Sequence, residues 1–403
     1  MPKVNWKLIQ TSSLLDVSSS ILSLNYFQGR HNYLDNYPGG VLNVTLNNNT
    51  NIADSFVLND IWELTASTYT GAQRFWVQGV QLDDYPGGTG LSTVTVQFAD
   101  MLARNGRILR NGVAISQSST SAQATVVTTY YTPSSGNVFV VSAGSSTASA
   151  TTYTGSVGNY LNYLFNTERG VIGFFQSSLL LNGRSNVASS TSTYTFSRND
   201  STATSLSYND ITRYKANLNF SNSCTVSSAG LTDQTGTNAD SITTYGLNAM
   251  TVTTVDYSEP QALGNAQWVA NSQSDPLSQT FSVNIFDIPQ TAAALQGLLT
   301  AFFGFNAAIS KVWRLNYRVP GQTSDTTVDV VIEGIGINAN PQQTDIQVFM
   351  SPLALYQYFT LDSSLLGVLG GGPITYDQAT IVYDQTDWIY DDTNVEQGSR
   401  LGW

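Results

Sequence analysis

Histidine and cysteine each occur once in this 403-residue chain, and that scarcity removes whole classes of chemistry. A zinc site needs three or four convergent ligands; His31 has no second His or Cys near it, and no HExxH-like pattern is present. One cysteine, Cys224, excludes an intrachain disulfide framework, and a solitary Cys is far more often a small buried hydrophobe than a nucleophile. His31 falls in a strand-to-strand connection, where a solvated or structural role is expected. Charge is sparse too, at 11% of residues against ~25% in average soluble domains. There is no basic run, and 16 Lys+Arg against 28 Asp+Glu give a net charge of −12. That balance disfavours nucleic-acid binding, which depends on neutralising phosphates. Long apolar runs are missing: the longest stretch, 292–305, is interrupted by Gln296, Gly297, Thr300 and Gly304, short of the ~20 residues of a membrane span. Residues 1–16 lack the apolar core of ~7–15 residues that a signal peptide needs after Lys3 and Lys7, so the chain reads as made without an export signal.

What fills the space is Ser, Thr, Asn and Gly around strand-like runs. Hydrophobic residues make up 41% of the chain, enough for sizeable cores, and the length fits two to four domains at ~100–200 residues each. Alternation marks strands in 14–46, carried by Ile21, Leu24, Tyr26 and Phe27 and then by Val41, Leu42, Val44 and Leu46. In 92–98, Val94 and Val96 face one side while Thr93, Thr95 and Gln97 face the other. Residues 116–154 are rich in Ser, Thr, Ala and Gly, with short strands expected at 126–131 and 137–141 and exposed linker elsewhere. A short helix is expected over 160–170, ended by Gly170. Another begins at Ser258, with Pro260 in its first turn and Gln261 as capping-box partner. A strand over 281–286 precedes a helical stretch over 287–303, whose stripe of Leu295, Leu298, Leu299, Phe302 and Phe303 reads as core. Two runs, 327–337 and 344–350, form a hairpin about the turn Asn338-Ala339-Asn340-Pro341, stopped by Ser351-Pro352.

Two features invite a chemical reading. Glu168 beside Arg169 has the makings of an acid or base, but one carboxylate is not a site and a local pairing role is preferred. Residues 375–395 repeat every seven residues as TYDQATI, VYDQTDW and IYDDTNV. Their apolar residues cluster as adjacent triads instead of at coiled-coil a and d positions. They read as an arm docking onto a partner through Tyr376, Tyr383, Trp388 and Tyr390; calcium binding by the aspartates would lack an EF-hand loop. Tyr-Pro-Gly-Gly occurs at Tyr37 to Gly40 and again at Tyr85 to Gly88, more simply as recurring turn chemistry than as duplication.

Several short motifs follow one another in a specific order: Asp16-Val17, Gly29-Arg30, Leu34-Asp35, and the strand residues Val44 to Asn47, close to a V-T-L-x-N pattern. Then come Phe75-Trp76-Val77-Gln78-Gly79-Val80, Asp100-x-Leu102-Ala103-Arg104, Glu168-x-Gly170, Tyr208-Asn209-Asp210 and Ser241-Ile242-x-x-Tyr245-Gly246. Glu333-Gly334, Ser351-Pro352, and Phe359-x-Leu361-Asp362 with Gly367-Val368-Leu369 close the series. This order resembles the tail-tip hub, or minor tail, proteins of long-tailed bacteriophages. The 75–80 motif has one residue more before its Gly than the family pattern, and the resemblance is weakest at 110–155, 185–205 and the final arm.

The resemblance implies a mainly β chain with a few helices: two tail-tube-like β-barrels, a middle α+β domain and an extended C-terminal arm. The implied boundaries are 1–110 and 251–370 for the barrels, 111–250 for the middle domain with its Ser/Thr-rich insert, and 371–403 for the arm. It further implies a structural virion protein of the tail tip, assembled in the host bacterial cytoplasm. Three chains would form a ring that continues and closes the tail tube, anchors fibres or a spike, and takes part in host attachment and DNA ejection. The implied partners are the other copies of a homotrimer, a distal tail or tube ring, the tape measure and fibres or spike, with DNA passing through the lumen without sequence-specific binding. No enzymatic activity, cofactor or metal is implied. Two rivals stand beside it: a receptor- or glycan-binding tail protein, drawing on 21 Tyr and 7 Trp, and a glycan hydrolase, which would need a carboxylate pair.

Overall fold

The structure is a computed structural model and describes residues 6–33, 35–66, 72–83, 92–128, 146–175, 178–188, 190–192, 194–198, 205–214, 220–275, 280–286 and 312–357. Period-two patterning builds its first part. Strands β1 (Trp6–Gln10), β2 (Ile21–Gly29), β3 (Val41–Asn47), β4 (Ile61–Ala66), β5 (Gln73–Asp83) and β6 (Thr93–Ala99) pair antiparallel in the order β1-β4-β5-β6-β3-β2. In β6, Val94, Val96 and Phe98 are buried while Thr93, Thr95 and Gln97 are not, the outcome expected of a sheet with one face on the core. Trp62, Leu64 and Ala66 of β4 and Leu42, Val44 and Leu46 of β3 turn inward the same way. Phe56 stacks on Trp62 with 4.4 Å between ring centroids, and Tyr26 meets Phe75 edge-on at 4.9 Å.

Strand β6 runs straight into helix α1 (Met101–Arg107). The buried Asp100 caps it: its Oδ1 accepts the Ala103 N–H at 2.8 Å, satisfying one of the orphan donors of the first turn. The Asp100 N–H in turn donates to Gly40 O at 2.9 Å. Residues 37–40 press on this corner so closely that a Cβ at Gly39 would lie 2.0 Å from Ala103 Cα. The Tyr-Pro-Gly-Gly and Asp-x-Leu-Ala-Arg motifs are thus two halves of one contact; the second Tyr-Pro-Gly-Gly lies outside the described residues.

The middle of the chain is a set of small units. They are β7 (Leu109–Ile115), β8 (Ser118–Ser119), α2 (Thr120–Thr128), β9 (Thr147–Ala148), β10 (Thr151–Ser156), α3 (Val157–Glu168), β11 (Val171–Phe175), β12 (Ser178–Asn182) and α4 (Arg184–Ala188). The strands pair antiparallel as β7–β10, β8–β9 and β11–β12. Helix α3 buries Tyr160, Leu161, Leu164, Phe165 and Glu168, a 3.6-residue stripe. It ends on Arg169, which takes the left-handed conformation at φ 53°. Gly170, expected to be the stop, is glycine for a different reason: a Cβ there would stand 1.9 Å from Asn182 O. The strand expected at 126–131 is not formed over its described part, because residues 126–128 close helix α2. Ala124 and Val127 are buried there, and that packing outweighs the β preference of Val and Thr. The strand expected at 137–141 lies outside the described residues.

Next come β13 (Thr195–Ser197), β14 (Ser205–Ser207), β15 (Asp210–Tyr214), β16 (Ser223–Ser228), β17 (Gln234–Thr237), α5 (Ala239–Tyr245), β18 (Ala249–Thr254) and α6 (Glu259–Ser272). Strands β17, β16 and β18 form a separate three-stranded sheet. Helix α6 starts at Ser258 as expected, but the Ser258 side chain makes no capping bond. Gln261 Oε1 instead accepts the Tyr257 N–H at 3.3 Å, one residue earlier than a capping box would use.

The last elements are β19 (Thr280–Phe286), β20 (Val312–Tyr317), β21 (Thr326–Ala339), β22 (Thr344–Pro352) and α7 (Ala354–Gln357). The hairpin forms, with its turn two residues later than expected: Asn338 and Ala339 still pair with Asp345 and Thr344. Asn340 closes the turn, its Oδ1 accepting the N–H groups of Gln342 and Gln343 at 2.8 and 2.9 Å. The helical stretch expected at 287–303 lies outside the described residues. Strand β21 is the axis of the molecule. Along one edge its first half pairs with β20 and its second half with β2, while β22 runs along the other edge. One thirteen-stranded sheet results, joining the first six strands to β13–β15 and β19–β22. The architecture is mainly β with a few helices. Among the described residues no helix is long and apolar enough to cross a membrane.

Burial pushes the Asp100 carboxyl up to about 7 from an ordinary 3.8, with backbone bonds from Ala103, Gly40 and Leu102 only partly opposing it. A carboxyl raised by folding makes the native state bind more protons than the unfolded chain between those two values, so stability falls as pH rises through that window. Asp100→Asn keeps a cap acceptor and removes the charge. Urea unfolding at pH 4.5 and 7.5 is expected to show the variant gaining roughly 1–4 kcal/mol on wild type at the higher pH. A pH-independent difference would contradict a charged carboxylate forced into this corner.

Candidate functional site

The two motifs that end β2 and interrupt β21 meet in space. Pairing of β21 with β22 slips by one residue between Ile332 and Gly334, leaving Glu333 as the extra residue of a bulge, a device that re-aims a side chain. It is also where the partner on the other edge of β21 changes from β20 to β2. Arg30 leaves β2 at that point. Its Nε donates to Glu333 Oε2 at 2.7 Å, and one of its terminal nitrogens donates to the Tyr356 hydroxyl at 2.8 Å. The Tyr356 hydroxyl in turn donates to Glu333 Oε1 at 2.6 Å. A further Arg30 nitrogen reaches Asp35 O at 3.3 Å. The backbones close in as well: Arg30 N–H donates to Glu333 O at 3.0 Å, and Gly29, at φ +97°, has no room for a Cβ, which would stand 2.2 Å from that oxygen.

The pair is sealed from water, with side chains 3% and 0% exposed. Aromatic rings form the seal. The Arg30 guanidinium carbon lies 4.6 Å from the Tyr37 ring centroid, 5.1 Å from Phe165 and 5.4 Å from Tyr33, all within cation–π range. Burial alone would lower the Arg30 pKa, but Glu333, then Tyr37 and Tyr356, override it and hold it above its ordinary value. Burial also raises the Tyr356 hydroxyl, so it stays a proton donor. Both Glu333 oxygens are spent on fixed donors and nothing reaches them from solvent. The arrangement is a clamp, not an acid–base pair.

Beside the clamp lies a cleft of about 310 Å³ lined by Arg30, Arg169, Asn162, Asn166, Tyr163 and Trp268, among others. Arg169 reaches it from the end of α3 and lies 5.6 Å from the Trp268 ring, which Arg184 also approaches at 5.1 Å. Glu168 serves the other side of that helix end. Its Oε1 accepts the Thr120 hydroxyl at 2.5 Å and the Ser146 N–H at 2.8 Å, the local pairing role expected of it. Cys224 is buried and burial raises its thiol. His31 is exposed, its ring stacked on Phe27 at 4.6 Å. Among the described residues no group of three or more His, Cys, Asp or Glu could hold a metal. Tyr376, Tyr383, Trp388 and Tyr390, read as partner contacts, lie outside the described residues. The sequence marks out Gly29-Arg30, Leu34-Asp35 and Glu333-Gly334 as motifs but does not show that Arg30, Asp35 and Glu333 converge. The available signal was a Glu inside the otherwise apolar run from Val330 to Ile337.

No family model and no curated protein matches the sequence. Solved structures do. A 43 kDa tail protein of prophage MuSo2 from Shewanella oneidensis superposes with a TM-score of 0.55 at 11% identity, covering 88% of this chain and 98% of that one. A tail protein from Neisseria meningitidis MC58 gives 0.58 at 10% identity, covering 87% and 96%. The chain therefore has the fold of these tail proteins over nearly their whole length.

Removing Glu333 leaves a buried, unpaired guanidinium, so Glu333→Ala is expected to cost roughly 3–5 kcal/mol in urea unfolding. Tyr356→Phe removes one hydroxyl bridge and is expected to cost about 1–3 kcal/mol. The double variant Arg30→Met/Glu333→Leu is expected to lose less than the two single variants combined. Strict additivity would show that the two side chains do not act as a unit.

Proposed function

We propose that this chain is a structural protein of the tail tip of a long-tailed phage, a hub or minor tail protein. The observation that carries the reading is the agreement of fold with two solved tail proteins across 98% and 96% of their lengths. The ordered motifs support it as well, because Gly29-Arg30, Asp35 and Glu333-Gly334 gather around one buried clamp. With it we propose the division into barrels at 1–110 and 251–370, a middle domain at 111–250 and an arm at 371–403. Three chains form a ring that continues the tail tube, closes it, and opens for DNA ejection. The arm tethers a neighbouring tail protein through Tyr376, Tyr383, Trp388 and Tyr390.

Surface chemistry supports assembly. Leu14, Val57 and Leu58 are 77%, 58% and 61% exposed. Their loops are bound to each other at one sheet edge, where Gln10 Nε2 donates to Asp60 Oδ2 at 2.8 Å and Thr11 N–H to Ile61 O at 3.0 Å. An apolar patch on an edge is costly in a monomer and useful in an interface. A net charge of −12 suits a wall past which DNA must slide. A structural role without catalysis also fits the occupied oxygens of Glu333 and the local bonds of Glu168.

Native mass spectrometry of the purified protein is expected to give a trimer, and Leu14→Asp/Leu58→Asp to shift it toward monomer with an unchanged circular dichroism spectrum. A monomer at every concentration tested would overturn the ring. Purified protein is expected to leave a cell-wall suspension turbid, and clearing would overturn the non-enzymatic reading.

A further inference from the structure

We propose that the cleft at the end of α3 is a carboxylate-binding site with Arg169 as its anchor. Arg169 is 9% exposed, yet its Nε and one terminal nitrogen have no hydrogen-bond acceptor among the described residues. Leaving such charged donors unmet in a buried position costs several kcal/mol, so the position implies an acceptor that arrives from outside. The groups facing the guanidinium do not supply one. Cys224 and Tyr33 are nearby, but a thiol buried enough to be raised and a phenol raised by burial both stay neutral. Asp256 is the acid whose charge acts on Arg169, and its two oxygens already accept from Thr254 Oγ1 and Asn265 Nδ2, each at 2.7 Å. Arg184 adds a second positive charge close by.

The cleft has the shape of a receptor for one small anionic group. Its volume is about 310 Å³, and Asn36, Asn159, Asn162 and Asn166 contribute amides to its wall beside Trp268 and Tyr163. The Asn162 and Asn166 Nδ2 groups are committed to Gly158 O and Thr253 O at 3.1 Å, which fixes their orientation. A guanidinium presents a planar fork that matches a carboxylate. The backbone adds a second mark of selection: Arg169 holds φ 53°, a conformation that costs a non-glycine residue about 1 kcal/mol or more. Glycine would relieve that cost, but only the Arg side chain reaches the cleft.

Two sources could supply the carboxylate: a free small acid, or an aspartate of the chain's own Tyr-Asp repeats at 376–391 in the same or a neighbouring copy. Neither depends on the tail assignment. The test uses the full-length protein at low salt, titrated with malonate against sodium chloride of equal ionic strength, by calorimetry and by Tm. Malonate is expected to bind saturably and raise Tm where chloride does not. Arg169→Gln, with the same backbone strain, is expected to weaken that binding about ten-fold or more. Should that variant fail to fold, Arg169→Lys keeps the charge and loses the fork, with weakened binding again expected. A synthetic peptide of residues 375–395 that competes with malonate assigns the occupant to the chain itself; malonate binding without peptide competition assigns it to a free acid. Malonate indistinguishable from chloride, or full binding in the folded Arg169 variants, overturns the site.

Discussion

The ion pair between Arg30 and Glu333 is the constraint on which the rest of the architecture depends. It sits where β21 exchanges one edge partner for another and where its register with β22 slips by a residue. A strand carrying two different neighbours on one edge has a gap in its ladder at the changeover. Here the gap holds a bulged residue, and the side chain that the bulge redirects is met by the arginine leaving β2. Burying two charges costs several kcal/mol before any attraction is counted. The pair is therefore better understood as fixing register than as adding stability. A one-residue slip of β21 would bring an apolar neighbour of Glu333 to Arg30 and leave two charges buried and unmatched.

Everything packed around the clamp follows from this. Tyr37 covers Arg30 because residues 37–40 are held down on α1, and they are held down because Asp100 caps that helix and Gly39 lets Ala103 come close. Phe165 covers it because α3 presents one face there. The same helix ends one turn later on Arg169 and so delivers a second buried guanidinium only a few residues away. One arginine has its acid beside it, and the other has two nitrogens without an acceptor among the described residues.

Much of the fold was legible in the sequence. Alternation located β3, β6 and β19, and the long hairpin was placed to within two residues at its turn. What failed was local. Residues 126–128 look like a strand by composition, yet burial of Ala124 and Val127 keeps them helical. Gly170 looks like a helix stop, yet Arg169 takes the left-handed position and Gly170 yields to the Asn182 carbonyl. The clamp was half visible. Its motifs were recognisable as an ordered series, but no local pattern states that residue 30 touches residue 333. That two Arg169 nitrogens meet no acceptor among the described residues was not visible at all, because what an arginine lacks depends on every neighbour brought to it by the fold.

Strand β2 pairs with β3 on one side and with β21 on the other, and the contact that locks it spans 303 positions of sequence. Chains emerge from the ribosome amino end first, and domains fold as they appear. The first six strands can associate early, but β2 stays an open edge until β21 has been synthesised. Contacts so distant in sequence form slowly, and an uncovered edge invites pairing with other chains. A truncated polypeptide therefore exposes that edge for good, whereas a finished one covers it with its own late strand. Completion of synthesis itself becomes the checkpoint that separates chains fit for assembly from those bound for aggregation.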